Sequence, residues 1–387
     1  MLGLVRLLGI WCVGFSLCAT SPRLWADAAV DTALKTIRSV EAKGAGNPAA
    51  SEATRQLTAG SVENLLPILK AFDGANPLAM NWLRAAFESI AAKTLKAEQK
   101  LPNEEFEAFI QDRSNSPEAR RLAYDWLVKV DPAVEGRLIP GMLDDPSPEF
   151  RREAVALKMT EAAELLKQDD KEAAKAAYQM ALSGAVDDDQ VKGIVKPLKE
   201  LGTEVDLPKH FGFLQSWRLI GPFDNTEFKG FDTVYAPEKE LDFSAKYEGK
   251  EGEVAWSEPK TTEDDYGVVD LAKVLAPHKG AVVYAATEFT SDRAQTVQFR
   301  LGTPNAWKIW VNGQLLFGRD EYHRGMQIDQ YQVTTELKPG KNVVLLKVCQ
   351  NEQKEDWAQR WQYQVRVCKP SGTAVLPSEG LETTSVR

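Results

Sequence analysis

The sequence changes pattern once, at residues 203–208, and this change constrains the fold more than any other feature. From Ala29 to about Gly202 the chain is rich in Ala, Leu, Glu, Lys and Arg, which are strong helix formers. From Trp217 onward, short runs of Val, Ile, Phe, Tyr and Trp alternate with turns that contain Gly, Pro, Asn and Asp. The sequence therefore predicts a multidomain α and β protein, with an all-α domain at 29–205, an antiparallel β-sandwich at 206–369 and a flexible C-terminal tail at 370–387.

The β-domain is predicted from short strands that are separated by turn residues. Asn312-Gly313 is a strong hairpin signal, because both central positions of a type I′ turn need a positive φ. Pro339 and Gly340 form a second turn, since Pro presets φ and Gly accepts the left-handed conformation. Many short strands of this kind predict a sandwich or a barrel. The predicted strands are 217–220, 281–289, 296–301, 307–311, 330–337, 342–349 and 361–368.

An internal repeat marks the N-terminal half. Residues 116–123 (SPEARRLA) match residues 147–154 (SPEFRREA) at a spacing of 31 residues. In each copy a Ser precedes a Pro, and an acidic residue follows where the helix dipole is positive. A weaker signal of the same kind is Asn76-Pro77. We expect α-helices to begin at all three places.

Two short segments of this half resemble known helical repeats. Residues 145–154 (DPSPEFRREA) are similar to the D-x-S-P-E-x-R-R-x-A start of many HEAT-repeat helices, and residues 162–182 resemble a single tetratricopeptide (TPR) hairpin with an acidic turn at Asp169-Asp170. The resemblance implies a HEAT/TPR-like domain whose surface binds a protein partner. A helical bundle that only carries the β-domain is the alternative.

Three segments of the C-terminal half resemble galactose-binding-like modules of exported bacterial proteins. Residues 217–223 (WRLIGPF) are similar to their W-x-x-I-G-P-F opening, residues 308–313 (KIWVNG) to their k-V-W-v-N-G strand and turn, and residues 337–348 (LKPGKNVVLLKV) to their L-x-x-G-x-N hairpin. The resemblance implies a jelly roll, a fold that serves as a sugar-binding domain in some glycoside hydrolases and is purely structural elsewhere. The chain departs from the pattern at 302–307 (GTPNAW), where such modules often carry an S-D-D-G-like segment, and this departure weakens a carried-over metal or polar-ligand role.

The first residues are typical of a secretory signal. Arg6 precedes an apolar run at 7–20, and Ala26-Asp27-Ala28 offers a small-residue cleavage site. The run is shorter than the roughly 20 residues that span a bilayer. We therefore expect a signal peptide at 1–28 and a secreted or periplasmic protein without an integral membrane span, a retained anchor being the alternative.

The net charge of −9 argues against a nucleic-acid partner, because phosphate binding needs a basic surface. It argues equally against docking on anionic lipid.

Cys349 and Cys368 are the cysteines that remain after the predicted signal peptide. If their strands paired directly, the two sulfurs would lie about 20 Å apart, well beyond the reach of a disulfide. A disulfide between them forms only if the strands are not neighbours, and it is not favoured.

Several common enzyme motifs are absent from the sequence. The three histidines, His210, His278 and His323, have no metal-ligand spacing, and neither a G-x-S-x-G segment nor a Gly-rich phosphate loop occurs. We predict a protein that is not an enzyme and needs no cofactor, apart from a structural calcium ion for which there is one candidate site.

The candidate ligand residues are aromatic and planar polar side chains. Sugars present C–H faces that stack on aromatic rings, and hydroxyl groups that suit planar polar side chains. Loops at one rim of a jelly roll can converge, so we expect a glycan site to draw on Asn305, Trp307, Tyr322, His323, Arg324, Trp357 and Arg360. The alternative at each position is a structural role, most of all for Trp307, whose strand alternation with Ile309 and Val311 fits a core position.

Asp224, Asn225, Glu227 and Asp232 form an oxygen-rich cluster that could hold the structural calcium ion. Its spacing is not that of an EF-hand, and an ordinary surface loop is the alternative.

Three functions are compatible with these features. The first is an exported, non-catalytic binding protein whose sandwich contacts a glycan or an envelope polymer and whose helical half binds a protein. The second is a structural adaptor without sugar binding. The third is an accessory component of a glycoside-degrading system.

Overall fold

The computed structural model describes residues 22–378. The predicted apolar signal segment at 7–20 and the last nine residues, 379–387, lie outside the described residues. The chain divides into two compact units, one ending at Phe150 and the other beginning at Arg151. The domain boundary expected at 205/206 therefore falls inside the second unit.

Helices occupy the described residues up to 211. None of the helices in residues 22–378 is both long enough and apolar enough to cross a bilayer. In chain order they are α1 Pro22–Arg38, α2 Asn47–Ala59, α3 Leu65–Lys70, α4 Pro77–Lys96, α5 Asn103–Gln111, α6 Pro117–Val130, α7 Val134–Leu138, α8 Pro148–Lys167, α9 Lys171–Gly184, α10 Asp188–Glu200 and α11 Leu207–Phe211, with two short helices further on, α12 Ala236–Lys239 and α13 Leu271–Val274.

The three predicted helix starts are confirmed. α4, α6 and α8 each begin at the proline of the signal. Asn76 accepts hydrogen bonds from the backbone N–H groups of Leu78 and Ala79 at 3.0 and 2.9 Å, and Ser116 accepts one from Ala119 at 3.4 Å. These side chains satisfy N–H groups that have no partner within the first helical turn.

A buried ion pair joins the two copies of the internal repeat. The guanidinium of Arg120, in the first copy, donates to both carboxylate oxygens of Asp145 at 2.9 and 2.7 Å, and Asp145 lies two residues before the first residue of the second copy. Both side chains are fully buried. Arg120 also donates to the Ile110 carbonyl at 2.6 Å, and Asp145 accepts from the N–H of Ser147 at 2.9 Å. The arginine of one copy thus fixes the turn that starts the other.

The described residues after 215 form antiparallel strands, as the sequence predicts. The strands are β1 Ser216–Asp224, β2 Lys246–Gly249, β3 Gly252–Ala255, β4 Lys260–Thr261, β5 Val269–Asp270, β6 Ala281–Ser291, β7 Gln295–Gly302, β8 Ala306–Val311, β9 Gln314–Arg319, β10 Tyr331–Leu337, β11 Gly340–Gln350 and β12 Gln362–Cys368. They form a six-stranded sheet in the order β4-β1-β6-β11-β8-β9, a four-stranded sheet in the order β10-β7-β12-β5 and a small β2-β3 ribbon. Both predicted turns are confirmed, since Asn312, Gly313 and Gly340 have φ values of 53°, 79° and 82°.

The two larger sheets enclose one hydrophobic core. Trp217, Val283 and Trp307 of the six-stranded sheet and Phe299 and Val365 of the four-stranded sheet belong to the same buried cluster. Because side chains alternate along a strand, the residues between these positions face outward. The core thus holds both sheets face to face as a sandwich.

A second apolar layer covers the outer face of the six-stranded sheet. Trp310 and Tyr284 on that face pack with aromatic side chains of the segment 231–256. The buried ammonium group of Lys347 donates to the Phe231 and Thr233 carbonyls at 3.0 and 2.8 Å and to the Glu238 carboxylate at 2.7 Å. Lys347 therefore anchors the covering segment to the sheet.

The residues after β12 differ from the flexible tail that the sequence predicts. Within the described part of this segment, the N–H of Val375 donates to the Val367 carbonyl at 2.9 Å, and the N–H of Ser378 donates to the Thr290 carbonyl at 2.9 Å. Val375 is also part of the sandwich core. The segment lacks a strand pattern, but its main chain satisfies groups at the sheet edges, so residues 370–378 belong to the folded unit.

Candidate functional site

One end of the sandwich collects four loops into a surface that we call the rim. β1 ends, β6 begins, β8 begins, β11 ends and β12 begins at this end, because neighbouring strands run in opposite directions. The loops that meet there are 225–230, 303–305, 320–330 and 351–361.

Buried amide side chains bind the rim loops to one another. Asn225 donates to the Tyr322 hydroxyl at 3.0 Å and to the Gln350 carbonyl at 2.9 Å. Asn305 donates to the Gln350 side chain at 3.3 Å and to the Arg360 carbonyl at 3.2 Å. These contacts join residues up to 125 positions apart in the chain. The rim is therefore held by side chains that the solvent does not reach.

Two of the predicted ligand residues lie in the interior. Asn305 is 2% exposed and serves as one of the cross-links just described, and Trp307 is fully buried between the sheets. The core position of Trp307 agrees with the alternation of its strand. Neither side chain is placed to touch a ligand at the surface.

Three other predicted ligand residues come together with one that the sequence analysis missed. The rings of Phe228, Tyr322, His323 and Trp357 form a continuous series, with centroid distances of 5.3 Å, 6.3 Å and 4.8 Å between successive members. We call these four side chains the aromatic row. Its two ends are open to solvent, since Phe228 is 51% and Trp357 is 61% exposed.

The inner members of the row are fixed by hydrogen bonds. The Tyr322 hydroxyl accepts from Asn225, and burial raises the pKa of Tyr322 above its usual value. Asn351 Nδ2 donates to Nε2 of His323 at 2.5 Å, which places the ring proton of a neutral His323 on Nδ1. The row is thus preorganised rather than assembled from mobile side chains.

Backbone strain occurs at the same place. Phe228 and His323 have φ values of 62° and 58°, and Glu227 beside Phe228 has 55°. Residues with a Cβ rarely adopt this left-handed region, and a bulky residue there is held by its surroundings. Two members of the row are therefore aimed by backbone conformations that the fold imposes.

The two arginines that the sequence predicts as ligand residues, Arg324 and Arg360, lie in different surroundings. Arg324 is exposed, lies 3.3 Å from Glu321 and donates its backbone N–H to the Pro304 carbonyl at 3.3 Å. Arg360 lines a cleft on the outer face of the four-stranded sheet. Both belong to rim loops, but only Arg324 directly follows members of the aromatic row in sequence.

The predicted calcium ligands are engaged with other groups. Asp224 accepts from Thr226, which lowers the pKa of Asp224, and it lies 3.4 Å from the Lys250 ammonium. Glu227 pairs with Lys229, and Asp232 lies 3.7 Å from Lys308. Within residues 28–378, no group of three or more His, Cys, Asp or Glu side chains is placed to hold a metal ion.

Asn225, the fourth predicted calcium ligand, has a structural role in the same loop. Its Oδ1 atom is buried and has no hydrogen-bond partner among the described residues. It lies against Gly230, where an added Cβ would be 2.7 Å away. Because Gly230 has no side chain, the loop that carries the predicted calcium ligands can pack closely on Asn225.

The two cysteines are free and buried. Cys349 packs in the apolar layer outside the six-stranded sheet, whereas Cys368 lies at the end of β12 in the four-stranded sheet. Their strands are not neighbours, which is the arrangement that would have allowed a disulfide, but the two sulfurs belong to different layers of the sandwich. This separation explains why both cysteines are free.

Comparisons with known proteins give no assignment. No protein-family model matches the sequence, and no curated protein matches it. Among solved structures, a β-glucosidase from Kluyveromyces marxianus in complex with glucose is similar at 12% identity over 39% of this chain and 16% of that one, with a TM-score of 0.25. A β-glucuronidase from Faecalibacterium prausnitzii is similar at 16% identity over 35% and 20% of the two chains, with a TM-score of 0.21. An anti-sigma factor domain-containing protein is similar at 12% identity over 43% and 48%, with a TM-score of 0.23. The matched region is less than half of each of these chains, and similarity this weak assigns neither fold family nor function.

Proposed function

We propose that this is an exported, non-catalytic binding protein whose rim binds a glycan or another envelope polymer through the aromatic row. The observation that carries the proposal is the aromatic row itself, four rings that follow one another in space. Its end members, Phe228 and Trp357, are exposed, while its inner members, Tyr322 and His323, are held by hydrogen bonds. Large exposed aromatic side chains in a group are unusual on a protein surface without a binding role.

The chemistry of the row suits a sugar chain. The apolar C–H face of a pyranose ring stacks on an exposed aromatic face, and Trp offers the largest such face. Because Tyr322 and His323 are already ordered, binding would cost little side-chain entropy. Polar groups beside the row, such as the Arg324 guanidinium, are available for hydroxyl groups at the edge of the sugar.

The non-catalytic part of the proposal is supported by three carboxylates in or beside the rim loops. Asp224 accepts from Thr226, Glu227 pairs with Lys229 and Glu321 lies 3.3 Å from Arg324, which suits a structural role better than acid–base chemistry. Export is supported by the signal-like residues 1–28.

We also propose finer descriptions of both halves. The two-sheet sandwich fits a galactose-binding-like jelly roll, supported by the W-x-x-I-G-P-F segment in β1 and the Asn312-Gly313 hairpin. The helices fit a HEAT/TPR-like repeat, supported by the ion pair that links the two copies of the 31-residue repeat.

Affinity electrophoresis of the full chain in gels that contain soluble polysaccharides tests the proposed function. We expect at least one neutral polysaccharide to retard the protein, and Trp357→Ala to weaken the effect about tenfold, since a stacking contact contributes about 0.5–1.5 kcal/mol beyond area burial. Leu315→Ala is the matched control, because Leu315 is 50% exposed but lies at the start of β9, away from the rim.

Two outcomes would contradict the proposal. One is a protein that no polysaccharide retards. The other is retardation that Trp357→Ala leaves unchanged, or that Leu315→Ala reduces equally.

A second candidate function is protein binding by the helices. Met180 on α9 is 51% exposed and Leu157 on α8 is 38% exposed, although both are large apolar side chains. Capture of a partner by the full chain, lost in Met180→Glu and retained in Lys175→Glu on the same helix, would support this function. Equal capture by both variants would count against it.

A further inference from the structure

A cleft of about 570 Å³, lined by both polar and apolar side chains, lies on the outer face of the four-stranded sheet. Gln362 and Gln364 of β12 form its floor, because Tyr363 and Val365 between and beyond them point into the core. α10, the residues around Tyr266 and the loop 326–328 form the walls.

Gln364 is the first sign that the cleft accepts a ligand. Its side chain is 5% exposed and lines the cleft, yet its amide makes no hydrogen bond to any residue in the described range. The Gln364 nitrogen and oxygen are not among the side-chain atoms that are closed off from solvent without a partner, so water in the cleft reaches them. The open donor and acceptor of Gln364 are therefore available to a polar group of a ligand inside the cleft.

Arg360 is the second sign, and it is independent of the first. Arg360 lines the cleft, its side chain is exposed, and the guanidinium has no hydrogen bond or ion pair to any of residues 28–378. Its backbone is held, because its carbonyl accepts from Asn305 and from Gln350 at 3.2 Å each. The donors of this guanidinium are therefore free, and an arginine can bind two oxygens at once.

The wall next to α10 is ordered before any ligand arrives. Asp188 accepts from the Tyr266 hydroxyl at 2.8 Å and from Lys192 at 2.7 Å. Lys192 also lies 5.2 Å from the centre of the Tyr266 ring.

Gly302 sets the opposite wall. A Cβ at this position would lie 2.3 Å from the Gln327 carbonyl oxygen and 3.2 Å from Nε2 of Gln364. Only glycine therefore allows the loop 326–328 to approach the sheet and leaves the Gln364 amide uncovered.

The side chains in the cleft favour an uncharged ligand with many hydroxyl groups. Two carboxylates, of Asp188 and Asp264, are balanced by two cations, Lys192 and Arg360. An added peptide strand is not favoured, since the main chain of β12 is already paired with β7, β5 and a bridge from Phe213. A ligand must therefore be recognised by side chains. The amides of Gln362 and Gln364 and the guanidinium of Arg360 can form hydrogen bonds with hydroxyl groups.

We propose that this cleft is a second glycan site, which binds a short neutral oligosaccharide through Gln364 and Arg360. The inference rests on the proposed function for its class of ligand, but it uses residues that are not part of the aromatic row. The loops 320–330 and 351–361 carry members of both sites. Two sites on shared loops would hold one polymer more tightly than either site alone.

Isothermal titration calorimetry on the full chain tests the second site. The probes are cellotriose, laminaritriose, xylotriose and mannotriose, with trigalacturonate as the charged comparison. We expect at least one neutral trisaccharide to bind with little dependence on salt. Gln364→Leu should weaken its affinity about tenfold, because the free energy of one hydrogen bond to the ligand corresponds to roughly that factor. Arg360→Gln should weaken the same trisaccharide, and Trp357→Ala should leave this component of the binding in place.

Gln332→Leu is the matched control, since Gln332 faces outward on the same sheet at β10 but does not line the cleft. We expect it to bind like the unchanged protein. Thermal unfolding shows whether Gln364→Leu folds. We expect a melting temperature close to that of the unchanged protein, because the Gln364 amide makes no hydrogen bond to the described residues that leucine would lose.

The outcomes separate the two proposals. If a trisaccharide binds and only Trp357→Ala removes it, the cleft proposal is overturned and the aromatic row stands. If polysaccharide gels retard the protein but no neutral trisaccharide binds, the cleft proposal is overturned again. If only trigalacturonate binds, with a steep dependence on salt, the neutral class of ligand is wrong.

Discussion

Asp329 holds the loop 320–330 against the four-stranded sheet, and its replacement gives the sharpest test of how the rim is supported. Its carboxylate accepts from Arg366 Nε at 2.6 Å, from Arg366 Nη2 at 2.5 Å and from Arg300 Nη1 at 2.6 Å. Arg366 is 1% and Arg300 is 11% exposed, so both guanidinium groups depend on this one anion. The same loop carries Tyr322 and His323 of the aromatic row.

We expect Asp329→Asn to lower the free energy of unfolding of the second unit by about 3 kcal/mol. Breaking a buried ion pair costs about 3–5 kcal/mol, and the partial exposure of Asp329 places it at the lower end. Asp329 has a φ of 59°, which Asn tolerates. Asp329→Ala should lose about 1 kcal/mol more, because alanine is strained in the left-handed region.

Urea unfolding monitored by tryptophan fluorescence measures these differences, since six of the ten tryptophans lie between Trp217 and Trp361. A loss below about 1 kcal/mol for Asp329→Asn would refute the reasoning, given the 3–5 kcal/mol for a broken buried pair. So would equal losses for the Asn and Ala variants.

The pH dependence of this loss has a predictable sign. Burial opposes the charged form of Asp329, but the hydrogen bonds from Arg366 and Arg300 outweigh burial and lower its pKa. A folded pKa below the unfolded value of about 3.9 stabilises the fold at neutral pH, and this contribution disappears as the pH falls through the folded pKa. The difference between the unchanged protein and Asp329→Asn should therefore narrow below about pH 4. A difference that stays constant in acid would contradict the assignment.

Three further predictions concern other buried groups. Arg120→Met should destabilise the first unit by about 3 kcal/mol, the lower end of the range for a broken buried pair, since the buried Asp145 carboxylate loses both hydrogen bonds from Arg120 while Arg113 remains 3.5 Å from it; an unchanged melting curve at 222 nm would contradict this. Burial lowers the pKa of His210, and its hydrogen bond to the Ala185 carbonyl offsets part of this effect. The folded protein should therefore lose stability as the pH falls below the unfolded pKa of about 6.5. His210→Gln should weaken this pH dependence, and an equal slope of unfolding free energy against pH in both proteins would count against the prediction. Burial raises the pKa of Cys349 to about 12 and also raises that of Cys368, so a thiol reagent should label both only after unfolding, and rapid labelling of the native protein would show that they are accessible.

The strands and helix starts follow from the sequence because their determinants are local. Alternation and turn residues set β6 and β7 to within about two residues of their observed ends. The Asn312-Gly313 turn needs only its own two φ values, and the helix caps act within one turn. Such features do not depend on what the rest of the chain does.

The site follows from the sequence only in part, because it depends on contacts between distant loops. Residue type alone identifies Tyr322, His323 and Trp357 as candidates. It does not identify Phe228, whose ring meets Tyr322 only because Asn225 of the same loop is hydrogen-bonded to Tyr322, 97 residues away in the chain. A single aromatic residue between Glu227 and Lys229 in a polar loop was the available signal. Asn305 has the chemistry of a ligand residue, and only the fold shows that its side-chain amide hydrogen-bonds Gln350 and Arg360 within the rim.

The most direct test of the central claim observes the indole of Trp357 while a glycan binds. In a ¹H–¹⁵N spectrum of the full chain, the resonance that Trp357→Ala removes identifies this indole, and the polysaccharide chosen by gel retardation can then be shortened to an oligosaccharide and titrated. We predict that the Trp357 resonance shifts in proportion to occupancy, while those of the buried Trp307 and Trp361 stay in place. A bound oligosaccharide that leaves the Trp357 resonance unmoved would contradict the account.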